Sequence, residues 1–241
     1  MGLEQQLPLW QPLSKNIYQL RLLTRQHQRL QELKTQSLNQ QHALACSQLT
    51  DPFIVKQVDQ LIQLYDKQLD GIKKALQILL EQDEPLKEKV ERLCAIKGLG
   101  LLSVATLIAE TNVFTGFDNQ RQLVSYAGYD VVENQSGKRV GKTRIRRILH
   151  LPAFNAVRCQ EPTCEALYQR VMQKTTFKMK AYVAVQKKLL LLAFSLWKNH
   201  TDYQPNYREN KAKELKKNSP DQRDYPQSTS RSRVVLLVGQ S

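Results

Sequence analysis

The chain has 241 residues, enough for one sizeable core or for one domain with an extended element. Its 36 Lys and Arg against 22 Asp and Glu leave a net charge of +14, which says nothing of fold and favours a polyanionic partner. An aromatic content of 7% with only 9 Gly and 9 Pro argues against a many-stranded sandwich and against low-complexity disorder. The four cysteines (Cys46, Cys94, Cys159, Cys164) show neither CxxC nor histidines at zinc spacing, and read as reduced thiols.

Residues 13–48 are polar, rich in Gln, and free of Gly and Pro. Ile17, Leu20, Leu23, Leu30 and Leu33 recur in steps that put one narrow stripe on a helix, with His27 in register between them as a packed interface residue. Thr50-Asp51-Pro52 predicts a break and a restart, Asp51 as N-cap and Pro52 in the first turn. A second stripe follows through Ile54, Val58, Leu61, Tyr65, Leu69, Ile72, Leu76 and Leu79, with Gly71 inside it. Residues 13–83 therefore read as two long helices, either an antiparallel hairpin or a dimerising coiled coil, with two ordinary bundle helices as the plainer alternative.

A compact helical part begins near Leu86. Helices are expected over 86–94 and 101–109, then, after a segment carrying Phe114 and Phe117, over 119–126. A loop over 127–143 includes Tyr129-Asp130-Val131-Val132, a candidate short strand. Further helices are expected over 144–158, 162–173 and 178–199. The composition after Tyr203 predicts disorder over 204–233, followed by the isolated apolar stretch 234–239. The fold class is thus mainly α: a long helical hairpin or coiled coil (1–85), a compact helical domain (86–203) and a tail (204–241). The apolar run 189–197 is too short to span a bilayer, and residues 1–6 lack the basic start of a signal peptide, so no membrane partner and a cytoplasmic location are expected.

Three places can carry chemistry. Ile96-Lys97-Gly98-Leu99-Gly100, between two helices, has the pattern of a helix-hairpin-helix. Gly98 and Gly100 allow a tight turn, the next helix's first N–H groups can face a phosphate, and Lys97 adds charge. The alternative is a plain turn between helices. Lys138, Arg139, Lys142, Arg144, Arg146 and Arg147 form a basic run without an acid, leading into the apolar Ile148, Leu149, Leu151 and Phe154. A run anchored in this way tracks phosphates, although most charge runs are solvated faces. Ser136-Gly137 lies just before it; by itself that pair is turn chemistry, and a nucleophilic serine also needs a base and donors for the developing charge. No spacing of acids suggests a two-metal site. The lysines of the last helix (Lys178, Lys180, Lys187, Lys188, Lys198) fit either a solvated core helix or further DNA contacts.

The run 96–100 with Ala105, Leu107 and Glu110, then Phe117, Gln122-Leu123, Tyr126-Ala127-Gly128, Gln135-Ser136-Gly137, Arg146-Arg147-Ile148-Leu149 and Lys187-Lys188-Leu189, forms an ordered set over about residues 93–203. That set resembles the C-terminal transposase domain of the insertion-sequence-110 family, the DEDD-type transposases related to the Piv DNA invertase. The helices before it resemble the family's coiled coil. The resemblance implies DNA strand exchange in which a serine, here Ser136, attacks DNA. An RNase-H-like domain holding magnesium on four acids completes the family's site, and a structured guide RNA chooses the target. No cofactor is expected in this chain, because that domain has no counterpart in it; this, with a loop from Gly137 to Arg146 shorter than the family's, argues against catalysis by the chain alone. The expected function is a DNA-binding transposase portion, a truncated and inactive copy. The expected partners are DNA, a structured RNA, and a second copy through the coiled coil. The alternative is a non-catalytic nucleic-acid-binding or regulatory module that oligomerises with an intact transposase.

Overall fold

A computed structural model of the chain describes residues 13–130, 143–207 and 210–211. The chain is mainly α, and the described residues contain nine helices and no strand. All nine lie in the unit Met1–Pro205; in the second unit, Asn206–Ser241, Lys211 Nζ sits 5.6 Å above the Tyr207 ring. Of the candidate strand at 129–132, Tyr129 and Asp130 are described and are not strand, while 131–132 lie outside the described residues, as do most of 204–233 and all of 234–239.

The first two helices form a hairpin, α1 (Lys15–Cys46) against α2 (Pro52–Glu81). The Ser14 hydroxyl caps α1 on the Ile17 amide, and Asp51 caps α2 on the Phe53 amide with Pro52 in the first turn. The paired helices bury Ile17, Leu20, His27 and Leu30 of α1 and Val58, Leu69, Leu76 and Leu79 of α2. Polar ties flank this seam: Lys34 pairs with Asp66, and Gln41 Nε2 donates to Asp59 Oδ1 at 2.6 Å. Ile54 and Leu61 do not join the seam. They are exposed with Leu64 and Ile78, and form a second apolar line along the outside of α2.

Two residues separate α2 from α3 (Glu84–Cys94), because Asp83 caps the Leu86 amide and Pro85 starts the new helix. Next comes α4 (Leu101–Thr111), buried on every side from Val104 to Thr111. A helix without a solvent face has to be central, and α4 packs against α1, α3 and α6. It ends in three left-handed residues, Asn112, Val113 and Phe114 (φ 51°, 60° and 58°). Strain of this kind persists only when surrounding packing holds it, and the buried Phe114 ring lies 5.7 Å from Phe194 and 5.9 Å from Trp197. Helix α5 (Gln120–Ala127) opens on a reciprocal cap: Asn119 accepts from the Gln122 amide, and the Gln122 side chain accepts from the Asp118 amide.

The segment expected as one helix over 144–158 is two, α6 (Thr143–Ile148) and α7 (His150–Arg158), divided at Leu149. Pro152 is the reason. It has no N–H for the Ile148 carbonyl, and its ring crowds that carbonyl, so an unbroken helix cannot pass. Helices α8 (Pro162–Met172) and α9 (Lys178–Asn199) close the unit. A single apolar core runs from Ile17 and Leu20 through α4 to Leu189, Leu190 and Trp197, so the base of the hairpin and the compact part share one interior.

The end of the unit is clasped. Glu161 caps α8, accepting from the Cys164 amide at 2.6 Å, and its other oxygen accepts from the Tyr203 hydroxyl. Burial by itself would raise the Glu161 carboxyl, but the bonds from Tyr203 and Cys164 outweigh it and hold the group below the ordinary carboxylate range. The folded pKa is therefore the lower one. Its contribution to stability is complete above the unfolded value of about 4.3 and is lost as pH falls through the folded value. Tyr203→Phe strands one acceptor oxygen and is expected to cost about 1–2 kcal/mol at neutral pH, with less of that difference remaining at pH 3. Thermal unfolding of both proteins at the two pH values measures this.

Candidate nucleic-acid interface

The turn between α3 and α4 separates the two predicted glycines. Gly98 adopts φ +100°, and a Cβ there would lie 2.7 Å from the Ala156 nitrogen and 2.8 Å from the Pro152 oxygen. The turn's backbone thus rests directly on α7. Gly100, the N-cap of α4, has φ −88° and open space where a Cβ would stand. No side chain caps α4, and Lys97 beside the turn is exposed.

Of the predicted basic run and serine, Ser136, Lys138, Arg139 and Lys142 lie outside the described residues. Arg144, Arg146 and Arg147 lie on α6, and each has a protein partner. Arg146 Nη1 donates to the carbonyls of Ala127 at 2.7 Å and Gly128 at 3.2 Å, capping the end of α5. This bond holds the residues just before segment 131–142 to those just after it. Further ties act at the same place: Lys187 Nζ stands 3.9 Å from Asp130, and the Tyr129 hydroxyl donates to Gln186 Oε1 at 3.1 Å. Burial pushes the Tyr129 hydroxyl pKa well up, so it remains a donor.

Arg144 reaches Glu110 on α4 at 3.5 Å. The Glu110 carboxylate, 2% exposed, also takes a bidentate pair from Arg25 of α1 at 2.8 and 3.1 Å. One turn earlier, Arg21 donates to the Ala109 carbonyl at 2.9 and 2.6 Å. Arg147 pairs with Glu32 of α1. The side chains of Arg144 and Arg147 remain 41% and 62% exposed, so both guanidinium groups still face solvent.

Both arginines open onto a groove of about 720 Å³ between α1 and the α4, α6 and α7 face. Thr24, His27, Gln28, Gln31 and Glu32 form its α1 wall. Leu102, Ile148 and Leu151 supply apolar surface opposite. The Gln28 amide, and after it Arg147 and Arg144, hold the Glu32 carboxyl below the usual range. Burial and the nearby Lys73 lower the His27 pKa, which favours the neutral ring. Arg21, Arg25, Glu110, His27 and Glu32 are absent from the residues that the sequence singles out as functional. The signal for them is faint: Arg21 and Arg25 are one turn apart beside the apolar stripe.

Among the described residues no three His, Cys, Asp or Glu side chains converge as metal ligands. Nor is any helix among them long and apolar enough to cross a membrane.

The stretch from α3 through most of α8, residues 90–169, matches the family described as transposase IS116/IS110/IS902. Over these residues the chain is similar to that family's transposase domain. Similar over a longer reach are the pilin gene-inverting proteins of Moraxella bovis and Moraxella lacunata, each 24% identical over 219 residues, covering 86% of this chain. The match spans 66% of the relatives' own length. The matched stretch thus contains the α3–α4 turn, α6 and Glu110, whereas Arg25 and Glu32, which pair with Glu110 and with Arg147 of α6, come from the preceding hairpin.

Proposed function

We propose that this chain binds DNA through the α6 face and takes part in DNA transposition by site-specific strand exchange, with Ser136 as the nucleophile. The single observation that carries the reading is the transposase domain itself, with Arg144 and Arg147 exposed side by side at the neck of the segment that holds Ser136. Lys138, Arg139 and Lys142 extend the same run, and Lys97 with the open first turn of α4 adds a second phosphate contact in the manner of a helix-hairpin-helix. The gene-inverting role named for the relatives fits strand exchange.

Affinity for duplex DNA should fall steeply with salt, because each phosphate contact releases counterions. Replacing Arg144 and Arg147 together by Ala should weaken binding to all sequences alike and flatten the salt slope by about two. Arg146→Ala should act mainly on stability, because its donors are engaged by α5. Fluorescence anisotropy against salt, with DNA and a structured RNA run in parallel, tests this; binding indifferent to salt sinks the reading. In a reaction that joins protein to DNA, Ser136→Ala should remove the covalent adduct and leave affinity close to wild type. An adduct that persists reduces Ser136 to a turn residue.

The outer line on α2 favours a second reading alongside the first, self-association through a coiled coil. Ile54, Leu61, Leu64 and Ile78 fall on one heptad seam and are exposed. Such a seam would equally let a non-catalytic copy oligomerise with an intact transposase. Light scattering should then give a multiple of the monomer mass, reduced to the monomer by Leu61→Glu with Leu64→Glu.

A further inference from the structure

We infer that the groove between α1 and the α4, α6 and α7 face seats one unstacked nucleotide of a bound strand. Arg144 and Arg147 take its phosphate, and His27 and Gln31 take the edge of its base. The inference rests on the proposed nucleic-acid reading and adds the hairpin helix α1 to the binding site.

The dimensions come first. At about 720 Å³ the groove lies within the range of small-molecule sites, which is about 300–1,000 Å³. It is a concavity, and a paired, stacked base cannot enter a concavity. Its lining then divides as a nucleotide does. Leu102, Ile148 and Leu151 form an apolar surface for a planar ring, and Leu151, 70% exposed, has the most area for a ligand to cover. The two guanidinium groups stand together on α6 and match a phosphate.

His27 supplies an independent sign. The residue is 8% exposed, yet its ring has no hydrogen-bond partner among the described residues. No fully buried side-chain nitrogen or oxygen there lacks a partner, so the ring nitrogens meet the solvent of the groove that His27 lines. A neutral imidazole offers one donor and one acceptor, the complement of a base edge. Gln31, also facing the groove, offers an amide with both functions. Thr24 and Thr106 are not available in this way, because their hydroxyls are bonded to the carbonyls of Leu20 and Leu102.

Glu32 is the one carboxylate among the residues lining the groove, and it pairs with Arg147. The pair is half-exposed on both sides, and such pairs are weak. A strand phosphate, whose binding also releases counterions, displaces it. In the free protein Glu32 therefore competes with the ligand for Arg147. Extruding a base costs least where it is already unpaired, so the groove selects single strands over duplex.

The test uses the full chain and short single-stranded oligonucleotides, one DNA and one RNA, carrying 2-aminopurine, whose emission rises when it leaves the stack. Binding of the wild type should raise that emission. Gln31→Ala and His27→Leu should each remove the rise and weaken binding by about tenfold, with the salt slope unchanged. Glu32→Gln should tighten binding by about threefold. Gln31 is exposed, so its substitution leaves the fold intact even if His27→Leu does not. A rise confined to RNA supports the groove with RNA as the strand, and one confined to DNA supports it with DNA. If the Gln31 and Glu32 variants bind as the wild type does while the Arg144 and Arg147 variants lose affinity, the groove inference falls and the basic-face reading stands. Unchanged affinity in the arginine variants overturns both.

Discussion

Gly98→Ala is expected to destabilise the folded unit severely, and Gly100→Ala to be tolerated. The two glycines stand two residues apart in one turn, and the sequence treats them alike. In the structure they differ in both respects that matter. At Gly98 the backbone is left-handed, which costs an L residue about 1 kcal/mol or more. The added methyl would also meet backbone atoms of α7 at 2.7 and 2.8 Å, and backbone cannot swing aside as a side-chain tip can. Relieving that overlap means lifting the turn off Pro152 and Ala156, opening the core beneath Ile96, Leu99 and Ala153. A loss of about 4 kcal/mol or more is expected, the range reserved for such mechanisms. Gly100 has an ordinary φ and open space, so Ala there should change stability by about 1 kcal/mol or less. Chemical denaturation of the two single variants measures the contrast, and equal effects would show that close approach to α7 is not why the turn carries Gly98.

Arg25→Ala is expected to be the most damaging charge removal in the hairpin. The Glu110 carboxylate is almost wholly enclosed and takes two hydrogen bonds from Arg25, against one longer contact from Arg144. Removing Arg25 takes away the nearer of these two cations from a buried carboxylate, and breaking a fully buried pair costs about 3–5 kcal/mol. Arg25 is itself 40% exposed and water can partly replace it, so about 2–3 kcal/mol is expected. In a unit of this size that lowers the melting temperature by roughly 5–10 °C. The double variant Arg25→Ala with Glu110→Gln should recover part of the loss, because the stranded charge is then gone. A double-mutant cycle reads the coupling directly, and strict additivity would show that the pair does not join α1 to α4.

The hairpin and the helix starts are legible in the residues because local chemistry decides them. Asp51-Pro52 and Asn119 announce their helices without help from the rest of the chain. The division at Leu149 is legible too, through Pro152, but the apolar pattern of Ile148, Leu149 and Phe154 continues across it and hides the break. What the sequence conceals is pairing between distant segments. Nothing in the run 144–147 shows that Arg146 will cap α5, or that Arg144 and Arg147 will meet Glu110 and Glu32; those contacts appear only once the hairpin shares a core with α4. For the same reason the groove wall from Thr24 to Glu32 reads in sequence as half of a helical arm, because its other half lies about eighty to one hundred and twenty residues further on.

The bond from Arg146 to the carbonyls of Ala127 and Gly128 also bears on how this protein can change. The frame itself holds residues 128 and 143 together, through α5, α6 and the core beneath them, so the segment between them is not needed to close the ring. Closing a flexible loop between ends that are already fixed costs little more for a longer loop than for a shorter one, about 0.6 kcal/mol for each doubling of length. Insertions and deletions there are expected to leave the bond from Arg146 to α5 in place, whereas a change at Gly98 or Glu110 acts on the core directly. The chemistry proposed for Ser136 and its basic neighbours can therefore be altered in length or exchanged, over evolutionary time or by graft, while the ties that fix the two ends stay as they are.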